Sequence, residues 1–311
     1  MSGSATPEKA LGTSAVAIGG GHGTARSLLA LREVCEHVTA VVTVADDGGS
    51  SGRLRRDLGV SPPGDLRMAL TALAGDSDLR DLVSYRFRRG ELAGHSLGNL
   101  VLIALQDLNG QDLVAGLDRL AMLLDVSGRV LPCTTTPITL HAQTADGAVT
   151  GQVAVAATPR LQRVWLDPAD PVTPPDVLAA IATADLIVLG PGSLYTSLLP
   201  NLLVPGVVDA INQAAGRVIL VSNLREQPGE TEGMALVDHL DALQDHVGDL
   251  RIDVLAAHEG AAPSGGGIPL VVDHRAVATR VEQLRLVDLL DGDDGHDPEL
   301  LATLFRDLLS G

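Results

Sequence analysis

The densest run of chemically capable residues in this chain lies between Thr43 and Arg67. Two adjacent carboxylates, Asp46 and Asp47, are followed there by glycines and serines and then by Arg53, Arg55 and Arg56. No packing requirement asks for that order, but a site that handles phosphates does. An acid can hold ribose or a divalent cation, the N–H groups of a Gly49-Ser50-Ser51 turn can wrap phosphate oxygens, and Arg53 can neutralise charge. A glycine-rich turn, Gly20-Gly21-His22-Gly23-Thr24, precedes this run, and a third segment, Gly190-Pro191-Gly192-Ser193, leads to Thr196 and Asn201. Free N–H groups, two hydroxyls and a helix dipole would make the third segment an anion seat; the plainer reading is a turn capped by Ser193. Two anion seats on opposite halves of one sheet favour a diphosphate or nucleotide over a single phosphate.

The first turn fails the dinucleotide spacing G-x-G-x-x-G, because Thr24 stands at the third glycine slot, and this demotes a nicotinamide oxidoreductase. Asp46 falls where a ribose-binding acid is expected, and a second Asp is more than ribose needs. Paired aspartates hold Mg²⁺ through water and phosphate oxygens, so Asp46 and Asp47 are the candidate metal ligands and Mg²⁺ the candidate cofactor. Solvated loop carboxylates are the plain alternative. His95 and Asn99, four apart, share a helix face if the helix starts early enough. Asn99 is carried forward as a ligand residue, whereas a lone histidine is more often a cap or a core residue. Gly192-Ser193 lacks the G-x-S-x-G elbow, so a serine hydrolase is not expected.

The elements that must position these residues follow from the apolar pattern. Residues 14–18 and 38–44 read as buried strands around a helix over 24–36, a βαβ unit. Residues 64–108 switch to helical period, with Asp65 placed to cap the first of three helices, and 112–124 continue helical. Residues 138–143 and 149–156 flank Asp146-Gly147 as a hairpin. The doubly wound rhythm then returns. Strands are expected at 186–189, 218–221 and 252–256, with an edge strand at 269–272. Helices are expected from 193, over 231–246 and over 298–309. The loops 262–267 and 291–295 are polar or glycine-rich. The expected fold is thus a three-layer, Rossmann-like, doubly wound α/β domain over 14–311, its sheet mostly parallel, with a helical insertion at about 64–125 and a disordered start over 1–13. Ligands of such sheets lie beyond the carboxyl ends of the strands.

Length and composition bound the rest. At 311 residues the chain can bury a sizeable core, yet one Trp, two Tyr and two Phe leave that core to Leu, Val, Ala and Ile. A formal charge of −17 argues against nucleic acid or an anionic membrane as the main partner. Arg53, Arg55, Arg56 and Arg67 depart from that background. Lys9 is the sole lysine, which excludes a lysine-dependent P-loop. Cys35 and Cys133 suit neither a disulfide scaffold nor a zinc site, so a reducing cytoplasm is expected. No signal peptide or membrane span is expected either. The hairpin at 138–156 offers an interface edge for a homodimer.

Six segments together resemble the bacterial gluconeogenesis-factor family: V-T-V-A-D-D-G-G-S-S-G-R-L, P-P-G-D-L-R, G-H-S-L-G-N-L, R-V-L-P, A-D-L-I-V-L-G-P-G-S-L-Y-T-S-L-L-P-N-L-L and Q-P-G-E-T-E-G. That family is similar in fold to the 2-phospho-L-lactate transferases, and the resemblance covers about residues 14–309. It implies a Rossmann-like cytoplasmic protein that binds UDP-sugars, UDP-N-acetylglucosamine among them, and is linked to cell shape and wall-precursor allocation. It implies further that Gly20–Thr24 and Asp46–Asp47 face the nucleotide, with Gly192–Thr196 and Asn201 beside its phosphates. The chain departs from the family pattern in carrying His22 where many members have Thr. It also carries Gly295-His296-Asp297-Pro298 where others read Arg-His-Asp-Thr.

Two functions compete at this stage. One is a non-catalytic nucleotide-sugar sensor that signals through a regulatory protein partner. The other is a Mg²⁺-dependent transferase acting on a nucleoside-diphosphate-linked substrate, which needs electrostatic clamping more than a nucleophile. The sensor is favoured on the resemblance. The base, the sugar, the partner and the oligomeric state are not legible.

Overall fold

The computed structural model describes residues 10–260, 267–291 and 295–310. Most of the two loops expected at 262–267 and 291–295, and residues 1–9, lie outside the described residues. Strand β1 (Ala10–Gly19) starts four residues before the expected domain boundary, so 10–13 extend the sheet rather than a disordered tail. The chain then runs through α1 (Gly21–Val34) and β2 (Cys35–Val42). Helices α2 (Gly49–Leu58), α3 (Gly64–Leu73), α4 (Asp78–Ser84), α5 (Leu97–Leu108) and α6 (Leu113–Leu123) follow in the connection to β3 (Arg129–Pro132). The helical insertion therefore opens at Gly49, not near 64. Apolar periodicity misses α2 because Gly49-Ser50-Ser51-Gly52 supplies no apolar face for its first turn.

The hairpin is formed by β4 (Thr139–Thr144) and β5 (Gly147–Thr150), and β6 (Arg163–Asp167) joins it in a small antiparallel sheet ordered β5-β4-β6. The second arm expected over 149–156 is cut short: Gln152–Ala156 turns into a helix, α7. Strands β7 (Leu186–Leu189), β8 (Arg217–Val221), β9 (Val254–His258) and β10 (Gln283–Val287) complete the main sheet. Its order is β10-β9-β8-β7-β1-β2-β3, and all its pairings are parallel. The expected edge strand at 269–272 contributes only an isolated bridge between Pro269 and Arg225. The edge is β10, whose half-exposed pattern lacks the continuous apolar run that marks the inner strands. The helix expected from Thr231 starts at Leu236, and Pro298–Ser310 closes the chain as expected.

Parallel strands covered on both faces must be apolar throughout, and Ala17, Ile18, Leu186, Ile187, Val188 and Leu189 are wholly buried. Helix α1 packs between α3 and the closing helix. No single helix among the described residues is long and apolar enough to cross a membrane.

Candidate functional site

Connections leave β1 toward β2 on one side and β7 toward β8 on the other, so the strand order reverses between β1 and β7. That reversal opens a crevice beyond the carboxyl ends of Gly19 and Leu189. Helix α1 begins at once behind Gly20, which has no side chain to cap it, and the Asp65 carboxyl from α3 takes the first N–H, that of Gly21. The turn is tight for a reason visible at Gly23, where a Cβ would run into the carbonyl of Pro191. The two glycine-rich turns thus pack backbone to backbone. Ser27 Oγ donates to the Gly190 carbonyl at 2.8 Å, and Asn223 grips Gly192 from both sides. Its Oδ1 accepts from the Gly192 N–H at 3.1 Å, and its Nδ2 donates to the Gly192 carbonyl at 3.0 Å.

A cleft of about 1000 Å³ opens above this floor. His22, Gly23 and Gly192 of the expected site line it. So do four arginines from four separate places: Arg26 of α1, Arg67 of α3, Arg80 of α4 and Arg225 beyond β8. Only Arg67 drew notice in the sequence. Arg26, Arg80 and Arg225 are single residues in ordinary surroundings, and no local pattern separates them from surface charge. Burial, then the neighbouring Arg86, lowers the pKa of Arg67. Its Nε donates to Asn99 Oδ1 at 3.1 Å, and Asn99 Nδ2 donates to Ser50 Oγ at 3.1 Å. Ser50 Oγ in turn lies 2.9 Å from His95 Nδ1. Asn99 and His95 therefore do meet, but through Ser50. His95 precedes the helix, whose N-cap is Ser96, so the two share no helix face.

The carboxylates are arranged differently from expectation. Asp46 Oδ1 accepts from the Gly48 N–H at 2.8 Å, and Asp47 Oδ1 accepts from the Val153 N–H at 2.9 Å, capping α7. The adjacent pair is split between two elements. Asp46 instead couples to Asp65, a residue the sequence offered only as a helix cap. Pro63 holds the cap position of α3, and the Asp65 carboxyl reaches the Gly21 N–H. Burial and then the charge of Asp46 push Asp65 up to about 6. Gly20 is the residue that leaves room, since a Cβ there would stand 2.7 Å from Asp65 Oδ2. Ser51 Oγ accepts from the Gly64 N–H at 3.1 Å and so ties α2 to α3. Gly49 has φ +45° at the start of α2, a conformation that favours glycine.

Three further residues of the expected site make contacts within the protein. Arg53 Nη2 donates to the Ala93 carbonyl at 2.7 Å and holds the loop before α5. Asn201 is fully buried, and its Nδ2 donates to the carbonyls of Gly19 at 2.9 Å and Ser197 at 2.7 Å, stitching the floor rather than facing the crevice. The anion seat at 190–196 exists but is filled from within. Glu230 Oε1 accepts from the N–H groups of Tyr195 at 2.7 Å and Thr196 at 3.0 Å, and Oε2 accepts from the Thr196 hydroxyl at 3.1 Å. Ser193 Oγ accepts from Gln227 Nε2 at 2.8 Å. The segment Leu194–Leu198 winds as a π-helix before Leu199–Leu202 turns α. Burial raises the Glu230 pKa against those hydrogen bonds.

Comparison with known proteins agrees with this architecture. The family model of the 2-phospho-L-lactate transferase CofD matches residues 15–279. The gluconeogenesis factor of Bacillus subtilis strain 168 is 38% identical over 306 residues, covering 94% of this chain and 96% of its own. That of Listeria monocytogenes is 41% identical over 299 residues, 92% of either chain. A crystal structure of a member of the UPF0052 family from Bacillus halodurans superposes with a TM-score of 0.87 at 38% identity, over 96% of this chain and 98% of that one. With the sheet order, the glycine-rich floor and these matches together, the chain belongs to the gluconeogenesis factor family, within the group of 2-phospho-L-lactate transferase-like proteins.

Proposed function

We propose that the chain binds a nucleotide sugar of the UDP-N-acetylglucosamine type in the cleft at the β1/β7 crevice, and that it acts as a regulatory protein linking carbon metabolism to cell shape and wall synthesis. The observation that carries the reading is the convergence of Arg26, Arg67, Arg80 and Arg225 on one cleft in a chain of net charge −17. Cations gathered against the overall charge, over two closely packed glycine-rich turns, suit a diphosphate. About 1000 Å³ leaves room for a base and a sugar as well. The regulatory role rests on membership of the family and on the resemblance in sequence, and it includes an unidentified protein partner. Calorimetric titration with UDP-N-acetylglucosamine tests the ligand. Saturable binding that persists in EDTA is the expected result, and no heat with or without Mg²⁺ overturns the reading. Growth of a deletion strain on a gluconeogenic carbon source, complemented by wild type but not by a binding-deficient variant, tests the role.

A second reading is supported by Asp46 coupled to Asp65. Two hard carboxylates, one of them packed under the Gly20–Gly21 turn, suit Mg²⁺, which binds through one or two carboxylates plus substrate oxygens and would relieve their repulsion. In a transferase the ion would neutralise phosphate charge while Arg67 and the α1 N–H groups oriented the substrate. Binding that requires Mg²⁺ moves the assignment to that reading.

A further inference from the structure

His296 lines the cleft close to Ser222, the residue that follows β8. It is buried, and its Nε2 lies 2.9 Å from the Ser222 carbonyl oxygen. A carbonyl only accepts, so Nε2 must carry the proton and donate. Burial, with His258 and Arg26 nearby, lowers the imidazole pKa to about 4, so at neutral pH the ring is uncharged and Nδ1 has a free lone pair. Nδ1 makes no hydrogen bond with the described residues. Beside it, Gly295 presents no side chain, and a Cβ there would sit 3.9 Å from Nε and Nη2 of Arg26. Arg26, Gly295 and His296 all line the cleft, which brings an acceptor-bearing ring and a guanidinium to one part of its wall.

We propose that His296 is a specificity residue of this cleft, accepting at Nδ1 a hydrogen bond donated by the ligand while Arg26 donates to a neighbouring ligand oxygen. The inference rests on the cleft being the nucleotide-sugar site. The ligand group it selects carries a donor next to an acceptor, as an imide edge of a base or a sugar hydroxyl does. A cytosine-type edge, with an acceptor at the matching ring nitrogen, faces Nδ1 lone pair to lone pair and is rejected.

The test uses the full chain with UDP, UDP-N-acetylglucosamine and CDP as probes. His296→Gln keeps an amide that can donate to Ser222 while removing the Nδ1 acceptor; His296→Asn restores an acceptor near the Nδ1 position. His296→Gln is expected to weaken the preferred uridine ligand by roughly five- to tenfold, with His296→Asn nearer to wild type. Equal losses for UDP and UDP-N-acetylglucosamine assign the donor to the base, and a loss confined to the latter assigns it to the sugar. Long-range ¹H–¹⁵N spectra, with His296 identified by the variants, should show the Nε2–H tautomer and a shift of the bare Nδ1 on saturation. Wild-type binding that ignores both substitutions, with Nδ1 unmoved, overturns this inference and leaves the ligand reading intact. Failure of wild type to bind any probe overturns both. A variant that melts with wild type's profile is compared directly; for one that does not, the Nδ1 shift in wild type decides alone.

Discussion

The Glu230 carboxylate rests on Thr196, accepting from its backbone N–H at 3.0 Å and its hydroxyl at 3.1 Å across 34 residues of chain. The turn after β7 thereby carries its own anion, and the loop after β8 is locked to it. Glu230→Ala would strand three donors in the interior, counting the Tyr195 N–H. A loss of about 3 kcal/mol is expected, read as an earlier midpoint in urea, with Glu230→Gln intermediate because it keeps an acceptor. Equal midpoints for all three proteins would remove Glu230 from this role.

Asp65 makes stability depend on pH in a definite direction. Its folded pKa of about 6 lies above its ordinary 3.8, so between those values the folded state holds the extra proton. Stability from this group is complete below pH 4 and is lost as pH rises through 6, by on the order of 3 kcal/mol. Asp65→Asn should flatten that limb and exceed wild type in stability at pH 7, measured by urea unfolding in EDTA. An unchanged difference between the two proteins from pH 4 to 7 would place the effect elsewhere.

Arg26→Ala should weaken UDP-N-acetylglucosamine binding about tenfold and lessen its dependence on salt, because one charge-assisted contact is removed. Arg56→Ala is the control, since Arg56 is exposed and does not line the cleft. Matching losses in both would make the effect a matter of net charge alone.

Gly23→Ala forces a Cβ into the Pro191 carbonyl and must spread the two turns apart. A stability cost of about 1–3 kcal/mol is expected together with weaker ligand binding. At Gly75 a Cβ meets nothing within 4 Å, and Gly75→Ala should change neither. Indistinguishable behaviour of the two variants in melting and titration would show that the close approach at Gly23 is relieved without consequence.

The inner strands were legible because burial on both faces writes itself as uninterrupted Val, Leu, Ile and Ala. The edge strand Gln283–Val287 was not, because a half-exposed strand relaxes that demand. The glycine-rich turns at 19–23 and 190–192 were legible as tight turns, since close backbone approach is a local requirement, and they pack together at the strand reversal. What fills or faces those turns is set by partners far along the chain. Glu230 reaches Thr196, Asp47 reaches Val153 over 106 residues, and the arginines converge from four elements. Adjacency in sequence suggested Asp46 with Asp47, whereas the fold couples Asp46 with Asp65, because α3 returns to the Gly20–Gly21 turn.

The pairing of β1 with β7 joins Ala15 to Leu186, so neighbours at the centre of the sheet are made far apart in time on the ribosome. At roughly 5–20 residues per second, about 10–30 s separate their synthesis. Throughout that interval β1 and β2 present an apolar edge with no strand to cover it. The nascent chain is therefore expected to depend on a holding chaperone during synthesis, and the cleft, which His296 lines, can be completed only once residue 296 has left the ribosome.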